Sequence, residues 1–400
     1  MPLEVEIEKL VYGGQGLGRI DGRAVLVPFV VPGERVEVET VRETPGLLHA
    51  RALAWPQPSG QRIVAPCPVF GRCGGCHYQH IPYPQQLEYK RQILLETLSR
   101  IGKIRWDGEV EVLAGEPWGY RNRTQLHILK SGDSANVGFL EAGSHRLVAA
   151  GSCPINSPAL NRVHQTLLAM MAERRFLAFV QEIELFTNEQ QVQLNVRQSS
   201  RPVAKPFFDW CAERIEGFTN WIDYAVGDDL FRVGPRSFFQ VNRFLVDQLA
   251  GQAIGDAEGN FALDLYAGVG LVTLPLARRF QRVIAADASR QAVRDLAFNA
   301  ERADVSLEIA DMDVAEFLAS FAEKADLVVA DPPRAGLGPK VTAELLRLRP
   351  ARLHLVSCDP ATLARDLAAL LAGGYQIREV TLADLFPQTF HMETIVKLAL

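Results

Sequence analysis

The sequence lacks any apolar run fit to cross a membrane: its longest, residues 261–277, is broken by Asp264, Gly268, Gly270 and Pro275. No signal-peptide pattern opens it, and the protein is expected to be soluble. An excess of one charge is also missing, with 42 Lys and Arg against 47 Asp and Glu and a formal net charge of −5. Such a chain exerts no global pull on nucleic acid, and any affinity for RNA must come from local basic patches and stacking groups. Internal repeats and low-complexity tracts are absent, which argues against solenoids and disordered arms. Cysteine is scarce, at 6 in 400 residues, and Cys67, Cys73 and Cys76 are crowded together. That pattern suits a ligand set in a reducing compartment better than a disulfide framework.

What is present is ordinary globular material, 48% apolar and 22% charged, enough for two or three cores. Residues 1–55 carry short alternating runs of Val and Glu broken by Gly13, Gly14, Gly16, Gly18, Gly22 and Gly33, the pattern of a small β-barrel. A proline-rich run, residues 54–68, reads as a linker. Residues 56–235 hold the cysteine cluster, an amphipathic helix over 84–103 built on Leu87, Ile93, Leu94, Leu98 and Ile101, a helix near 158–175 and a strand at 192–196. Residues 236–400 change character. Strand-sized apolar runs at 262–266, 283–286, 307–310, 327–330 and 353–356 alternate with helical ones, which predicts a parallel, doubly wound α/β sheet.

The chemistry-bearing motifs fall at the ends of these strands. Asp264-Leu-Tyr-Ala-Gly-Val-Gly270 ends one strand and opens a helix, where glycines let a ligand approach the backbone. Asp287 ends the next strand, the position from which an acid binds ribose hydroxyls. The dinucleotide fingerprint G-x-G-x-x-G is incomplete, because Thr273 stands in place of its third glycine; a nicotinamide site therefore loses ground to an adenosylmethionine site. Asp331-Pro-Pro-Arg334 places a carboxylate and a rigid turn beside that crevice, and Arg334, where amine methyltransferases carry an aromatic, argues against amine methylation. Ser357-Cys358-Asp-Pro360 sets a thiol just before a helix, whose N-terminus favours a thiolate. Glu393, at the start of a final strand over 394–400 and among aromatics, has the setting of a proton acceptor with a raised pKa. Cys211 has no motif around it and reads as an inert core residue.

Cys67-x5-Cys73-x2-Cys76 with the later Cys153 supplies four thiols whose spacing fits zinc or an iron-sulfur cluster, and does not fit the radical adenosylmethionine spacing C-x3-C-x2-C. For RNA the candidates are Tyr120-Arg-Asn-Arg123 with His127 and Lys130, and the segment from Phe231 through Arg236 and Gln240 to Arg243, which interleave bases with aromatics and amides. The barrel offers a third surface of oligonucleotide-binding type.

Taken together, these residues resemble the RNA 5-methyluridine (uracil-C5) methyltransferase family, in particular its members with an N-terminal TRAM domain and a cysteine-bound cluster. The likeness runs from Val11-Tyr-Gly-Gly-Gln-Gly-Leu-Gly18 through Cys67 to Cys76, Gly138 to Arg146, Phe239-Gln-Val-Asn242 and Asp264 to Gly270, and on to the run Ser357 to Arg365 and Glu393. It implies an OB-fold TRAM barrel over 1–55, a central α+β domain with an iron-sulfur cluster over 56–235, and a Rossmann-like class I methyltransferase domain over 236–400. It implies that Gln240, Tyr266, Leu271, Asp287, Asp311 and Asp331 line a pocket for S-adenosyl-L-methionine, that Cys358 is the nucleophile and Glu393 the base, and that Cys67, Cys73, Cys76 and Cys153 hold a [4Fe-4S] cluster. The implied partner is structured RNA, 23S rRNA before the T-loop of tRNA. Asp287 stands where the family has glutamate, and Leu271 and Asp311 where it has asparagine; Leu271 leaves only backbone contact with a cofactor there. Two other classes remain: methylation of an amine, which has no use for a nucleophilic Cys358, and an RNA-binding cluster protein with an inactive methyltransferase fold, which both intact candidate residues disfavour.

Overall fold

The computed structural model describes residues 3–131, 134–173 and 175–400, without the side chains of residues 130, 131, 134 and 135. The chain forms two compact units: Met1–Glu96, Phe139–Ala150 and Phe386–His391 make one, and Thr97–Gly138, Gly151–Leu385 and Met392–Leu400 the other.

The first unit begins with β1 (Leu3–Val11), β2 (Gln15–Ile20), β3 (Arg23–Pro28), β4 (Arg35–Thr44) and β5 (Leu47–Gln57), closed into a barrel in the order β1-β2-β3-β5-β4. Alternate residues Val5, Ile7, Val25, Val27, Val36 and Val38 fill its core, as the two-residue period of a strand demands. Gly16 and Gly18 are needed inside the barrel, because a Cβ there would stand 2.4 Å from a Val30 methyl and 2.3 Å from the Glu6 carbonyl oxygen. The expected linker contributes its first residues to β5, which runs through Pro56 to Gln57. Residues 58–82 form neither helix nor strand, and α1 (Tyr83–Gly102) then leads into the second unit.

In the second unit β6 (Val110–Leu113) and β7 (Arg123–Ser131) are followed by β8 (Ser134–Leu140), which passes to the first unit, where β9 (Leu147–Ala149) lies. Next come α2 (Pro158–Met171), β10 (Val180–Thr187), β11 (Val192–Ser199), α3 (Lys205–Arg214) and the hairpin of β12 (Ile222–Val226) and β13 (Asp229–Val233). β11, β10, β7 and β8 pair antiparallel in that order. The remainder is α4 (Val246–Ile254), β14 (Gly259–Leu265), α5 (Thr273–Ala277), β15 (Phe280–Asp287), α6 (Arg290–Arg302), β16 (Glu308–Asp311), α7 (Val314–Ser320), β17 (Leu327–Ala330), α8 (Gly338–Leu348), β18 (Arg352–Ser357), α9 (Pro360–Ala372), β19 (Gln376–Ala383) and β20 (Glu393–Ala399). These strands form a sheet ordered β16-β15-β14-β17-β18-β20-β19-β6.

The strand-helix alternation expected from the sequence is present, and β14 to β18 are parallel. The residues of β17 and the last five of β18 are all buried, as strands covered on both faces must be. The wholly parallel reading needs correction at one end. β20 inserts antiparallel between β18 and β19, and β6, a four-residue strand from far upstream, completes the edge parallel to β19. A strand that short carries too little period to be read from sequence.

Candidate active site

In a doubly wound sheet the ligand crevice opens at the carboxyl ends of the parallel strands. Here β16, β15, β14, β17 and β18 end at or just before Asp311, Asp287, Tyr266, Asp331 and Cys358, in that spatial order. Because β20 runs the opposite way, its first residue, Glu393, lies at the same edge. Ser357 pairs with Thr394, so continuing the antiparallel register by one residue sets Cys358 opposite Glu393. The same logic sets Tyr266 beside Asp331, since Leu265 pairs with Ala330, and Asp287 pairs directly with Asp311.

The turn after β14 is shaped by backbone demands. Tyr266, Gly268 and Gly270 have φ of +64°, +57° and +96°, and a Cβ on Gly270 would meet the Leu296 side chain at 2.5 Å, so a larger residue is excluded there. The N–H groups of Tyr266 and Ala267 both donate to the Ala286 carbonyl (2.9 and 3.1 Å), while Gly268 N–H donates to Asp287 Oδ2 (2.9 Å). Asp287 Oδ1 accepts from Ser289 N–H (2.7 Å). Beneath the turn, buried Asp264 accepts a 2.5 Å bond from Thr273 Oγ1; burial lifts its pKa to about 7 against that hydrogen bond, with Asp331 and Asp287 adding to the rise. Thr273, legible in the sequence only as a missing glycine, thus anchors the start of α5.

A cavity opens over this turn, lined by Phe238, Gln240, Asp264, Tyr266, Leu271, Asp331 and Val356 among others. Four of the six expected cofactor residues, Gln240, Tyr266, Leu271 and Asp331, therefore lie on one cavity. Asp287 and Asp311 are not in its lining; they stand at the ends of the next two strands. Gln240 Nε2 donates to Asp331 Oδ2 at 3.5 Å, and the Gln240 carbonyl accepts from Asn122 Nδ2 (2.9 Å), which also bonds the Tyr224 hydroxyl (3.1 Å). Leu271 packs against the apolar cluster around Phe186, Phe239 and Val269.

The other end of the edge is electrostatically tense. Glu393 is buried, and its Oε1 has no hydrogen-bond partner among the described residues. Burial raises its pKa well above the usual carboxylate range, Asp331 adds to the rise and Arg334 opposes it. Burial likewise takes Asp331 to about 6. The half-buried Cys358 thiol is pushed up to about 11 by burial and by the charges of Glu393 and Asp331, with Arg334 opposing. The thiolate-favouring N-terminus of α9 is thus opposed by desolvation and by two carboxylates in the ligand-free protein. Arg334 is held from α9, where Thr362 Oγ1 donates to the Arg334 carbonyl (3.3 Å) and Arg365 to that of Ala335 (2.8 Å). The sequence offers Arg334 only as an absent aromatic; its part as counter-charge to Cys358 and Glu393 needs the fold.

The basic segments proposed for RNA are largely structural. Tyr120 and Asn122 are buried; Arg123 is 12% exposed, with its guanidinium 4.2 Å from the Phe186 ring centroid. Phe231 and Phe239 are core residues, Arg232 stacks on Trp221 and Phe298 at 4.7 and 3.6 Å, and Arg243 Nε bonds the Gly119 carbonyl. His127 pairs with Glu182 at 3.7 Å, and the Lys130 side chain lies outside the described residues. Pro235, Arg236 and Phe238 are the members of the second segment that stay exposed, and Phe238 lines the cavity.

No cysteine among the described residues is disulfide-bonded. Cys211 is buried with its thiol pushed up to about 12, the inert core residue expected. Cys67, Cys73 and Cys76 belong to the first unit and Cys153 to the second. Among the described residues no three His, Cys, Asp or Glu side chains are gathered to hold a metal ion. No helix among the described residues is long and apolar enough to cross a membrane.

A glycine turn over an acid at the next strand's end, beside a cavity at the carboxyl edge of a doubly wound sheet, defines a class I adenosylmethionine-dependent methyltransferase. Comparisons with known proteins narrow this. The TRAM domain profile matches residues 2–53 and that of the tRNA (Uracil-5-)-methyltransferase family residues 226–399. An uncharacterized RNA methyltransferase of Aquifex aeolicus is 32% identical over 434 residues, spanning 99% of this chain and 98% of its own. One of Halalkalibacterium halodurans is 31% identical over 443 residues, spanning 100% and 97%. The crystal structure of Pyrococcus abyssi tRNA (uracil-54, C5)-methyltransferase with S-adenosyl-L-homocysteine matches at TM-score 0.78 and 27% identity, over 99% of this chain and 100% of that one. The chain belongs to the RNA (uracil-5-)-methyltransferase family and is an S-adenosylmethionine-dependent enzyme with an RNA substrate.

Proposed function

We propose that the enzyme methylates C5 of one uridine in structured RNA through a covalent bond between Cys358 and C6 of the uracil. The observation that carries this reading is a half-buried thiol set opposite a buried carboxylate, whose Oε1 has no hydrogen-bond partner among the described residues, across adjacent strand ends. C5 of uracil is a weak nucleophile. Addition of the Cys358 thiolate at C6 drives an electron pair onto O4 and makes C5 an enolate carbon. S-adenosylmethionine, when bound, supplies an electrophilic methyl group. After transfer C5 carries both the methyl and its proton; Glu393 takes that proton, the C5–C6 double bond returns and the C6–S bond breaks with its pair going back to Cys358. A desolvated carboxylate beside Asp331 is a stronger base than an exposed one, which suits this step. Gln240, Tyr266, Leu271 and Asp331 would hold the cofactor in the cavity, with Asp287 at the ribose and Asp311 beside it. A paired uracil must leave its stack to reach the edge.

The proposed target is a uridine of 23S rRNA, supported by the combination of a TRAM barrel with four cysteines. The second reading, a tRNA T-loop uridine, is supported by the full-length likeness to the Pyrococcus tRNA enzyme. For Cys67, Cys73, Cys76 and Cys153 the proposed ligand is the [4Fe-4S] cluster that the family resemblance implies, four thiols suiting iron-sulfur and zinc alike; equimolar iron and acid-labile sulfide in anaerobically purified protein is the expected result, and zinc or no metal overturns it. Thiols of this kind fit the reducing cytoplasm. Nucleoside mass spectrometry of rRNA and tRNA from a strain lacking the gene tests the reaction: loss of 5-methyluridine from 23S rRNA is expected, loss from tRNA selects the second reading, and retention in both contradicts the assignment.

A further inference from the structure

The loop that delivers Glu393 to its strand is held by two fully buried polar side chains that the reaction itself does not use. Residues 386–391 belong to the first unit, and the chain returns to the second at Met392. Helix α1 supplies Gln86 and Lys90, one turn apart and each 0% exposed. Lys90 Nζ donates to the carbonyl oxygens of Phe386 (3.1 Å) and His391 (2.8 Å), the two ends of the loop. Gln86 grips its middle reciprocally: Nε2 donates to Gln388 Oε1 and Oε1 accepts from Gln388 N–H, both at 3.0 Å. The Gln388 carbonyl accepts in turn from the N–H groups of His77 (2.8 Å) and Tyr78 (3.0 Å).

Gln388 itself has φ of +68°, a conformation that non-glycine residues keep only where their surroundings over-determine it. Burying an ammonium group is also costly unless it is well bonded. Both costs are concentrated on six residues whose visible consequence is where the chain enters β20. Glu393 is the first residue of that strand, so the β19 ladder fixes its backbone on one side only, and the loop fixes the other.

We propose that Gln86 and Lys90 are positioning residues of the methylation: by fixing both ends and the middle of loop 386–391 they set where the Glu393 carboxylate stands when it takes the C5 proton. This rests on the reading of Cys358 as nucleophile and Glu393 as base. Displacing the base leaves addition and methyl transfer intact and slows only proton removal, so the enzyme accumulates as a methylated, denaturant-resistant RNA adduct. A merely structural role lowers adduct formation and turnover together.

The test compares Lys90→Met, the near-isosteric Gln86→Glu and Glu393→Gln in the full chain, reading the steady-state adduct on denaturing gels, the single-turnover rate of adduct formation, and release of methylated RNA. Expected for Lys90→Met is release slowed about tenfold, as partial loss of a general base implies, with adduct raised and its formation rate within about twofold of the parent. Gln86→Glu, which keeps the acceptor and loses the donor that Gln388 Oε1 shares with the Tyr78 and Ile81 carbonyls, shows the same signature more weakly and carries the test should Lys90→Met fail to fold. Adduct that accumulates in Glu393→Gln, with neither α1 variant raising it, overturns this inference alone. No accumulation in Glu393→Gln overturns the underlying reading.

Discussion

At one end of the ligand edge Asp287 accepts backbone N–H bonds on both carboxylate oxygens, from Ser289 and Gly268. At the other end Glu393 is buried with Oε1 unpartnered, and Asp331 adds like charge to it. Under the proposed mechanism the same residue chemistry, at the ends of strands in one sheet, is set to opposite tasks. A carboxylate saturated by backbone donors is fixed in place, as a group that orients a ribose must be. A desolvated and unsatisfied one is primed to take a proton. The difference lies in who fills the lone pairs, and residue identity alone does not reveal it.

Variants can sharpen or break this contrast. Removing the nucleophile has the largest effect: Cys358→Ala should lower methyl transfer on the order of 10⁴-fold or more, as loss of a nucleophile does elsewhere, while S-adenosylhomocysteine still binds by calorimetry; an unchanged rate would return the fold to amine methylation. Asp287→Ala should act on binding, raising KM for S-adenosylmethionine about tenfold, roughly the worth of one lost charge-assisted hydrogen bond, with little change in the pH profile. A reversed pattern, a large pH shift without a KM change, would dissolve the distinction between the two ends. Arg334→Met should be milder. Arg334 lowers the pKa of both Cys358 and Glu393, so its loss moves the limb of the single-turnover profile that requires the thiolate to higher pH.

Smallest is a stability effect. Asp264 releases its proton near 3.8 in the unfolded chain and near about 7 when folded. Between those values the folded state holds the extra proton, so this group's contribution to stability falls as pH rises and levels off above about 7. The Tm of ligand-free enzyme should therefore show a downward slope across that window that Asp264→Asn flattens; an unaltered slope contradicts the assigned burial.

Much of this architecture is legible in the amino-acid sequence alone. The runs expected to end at Tyr266, Ala286, Ala330 and Val356 stop within one residue of where β14, β15, β17 and β18 end, because strands buried on both faces are written largely in apolar residues. Cys358 and Glu393 stand out through their motifs. What the sequence hides is what depends on register and packing. The insertion of β20 beside β18, which sets Glu393 opposite Cys358, is a pairing between residues far apart in the chain. The burial of Tyr120 and Asn122 and the stacking of Arg123 on Phe186, which give much of that segment a structural part, depend on contacts with residues far along the chain such as Phe186 and Val241. Gln86 and Lys90 read as ordinary polar positions of an amphipathic helix, and their burial against a loop about 300 residues away has no local signature.

The most direct measurement uses RNA in which 5-fluorouridine replaces uridine, incubated with the enzyme and S-adenosylmethionine and then digested for peptide mass spectrometry. Fluorine at C5 cannot leave as a proton does, so the reaction must stall after methyl transfer. The account predicts a stable adduct of enzyme, RNA and one methyl group, mapped to Cys358. Methylated RNA without adduct, or an adduct on another residue, would contradict it.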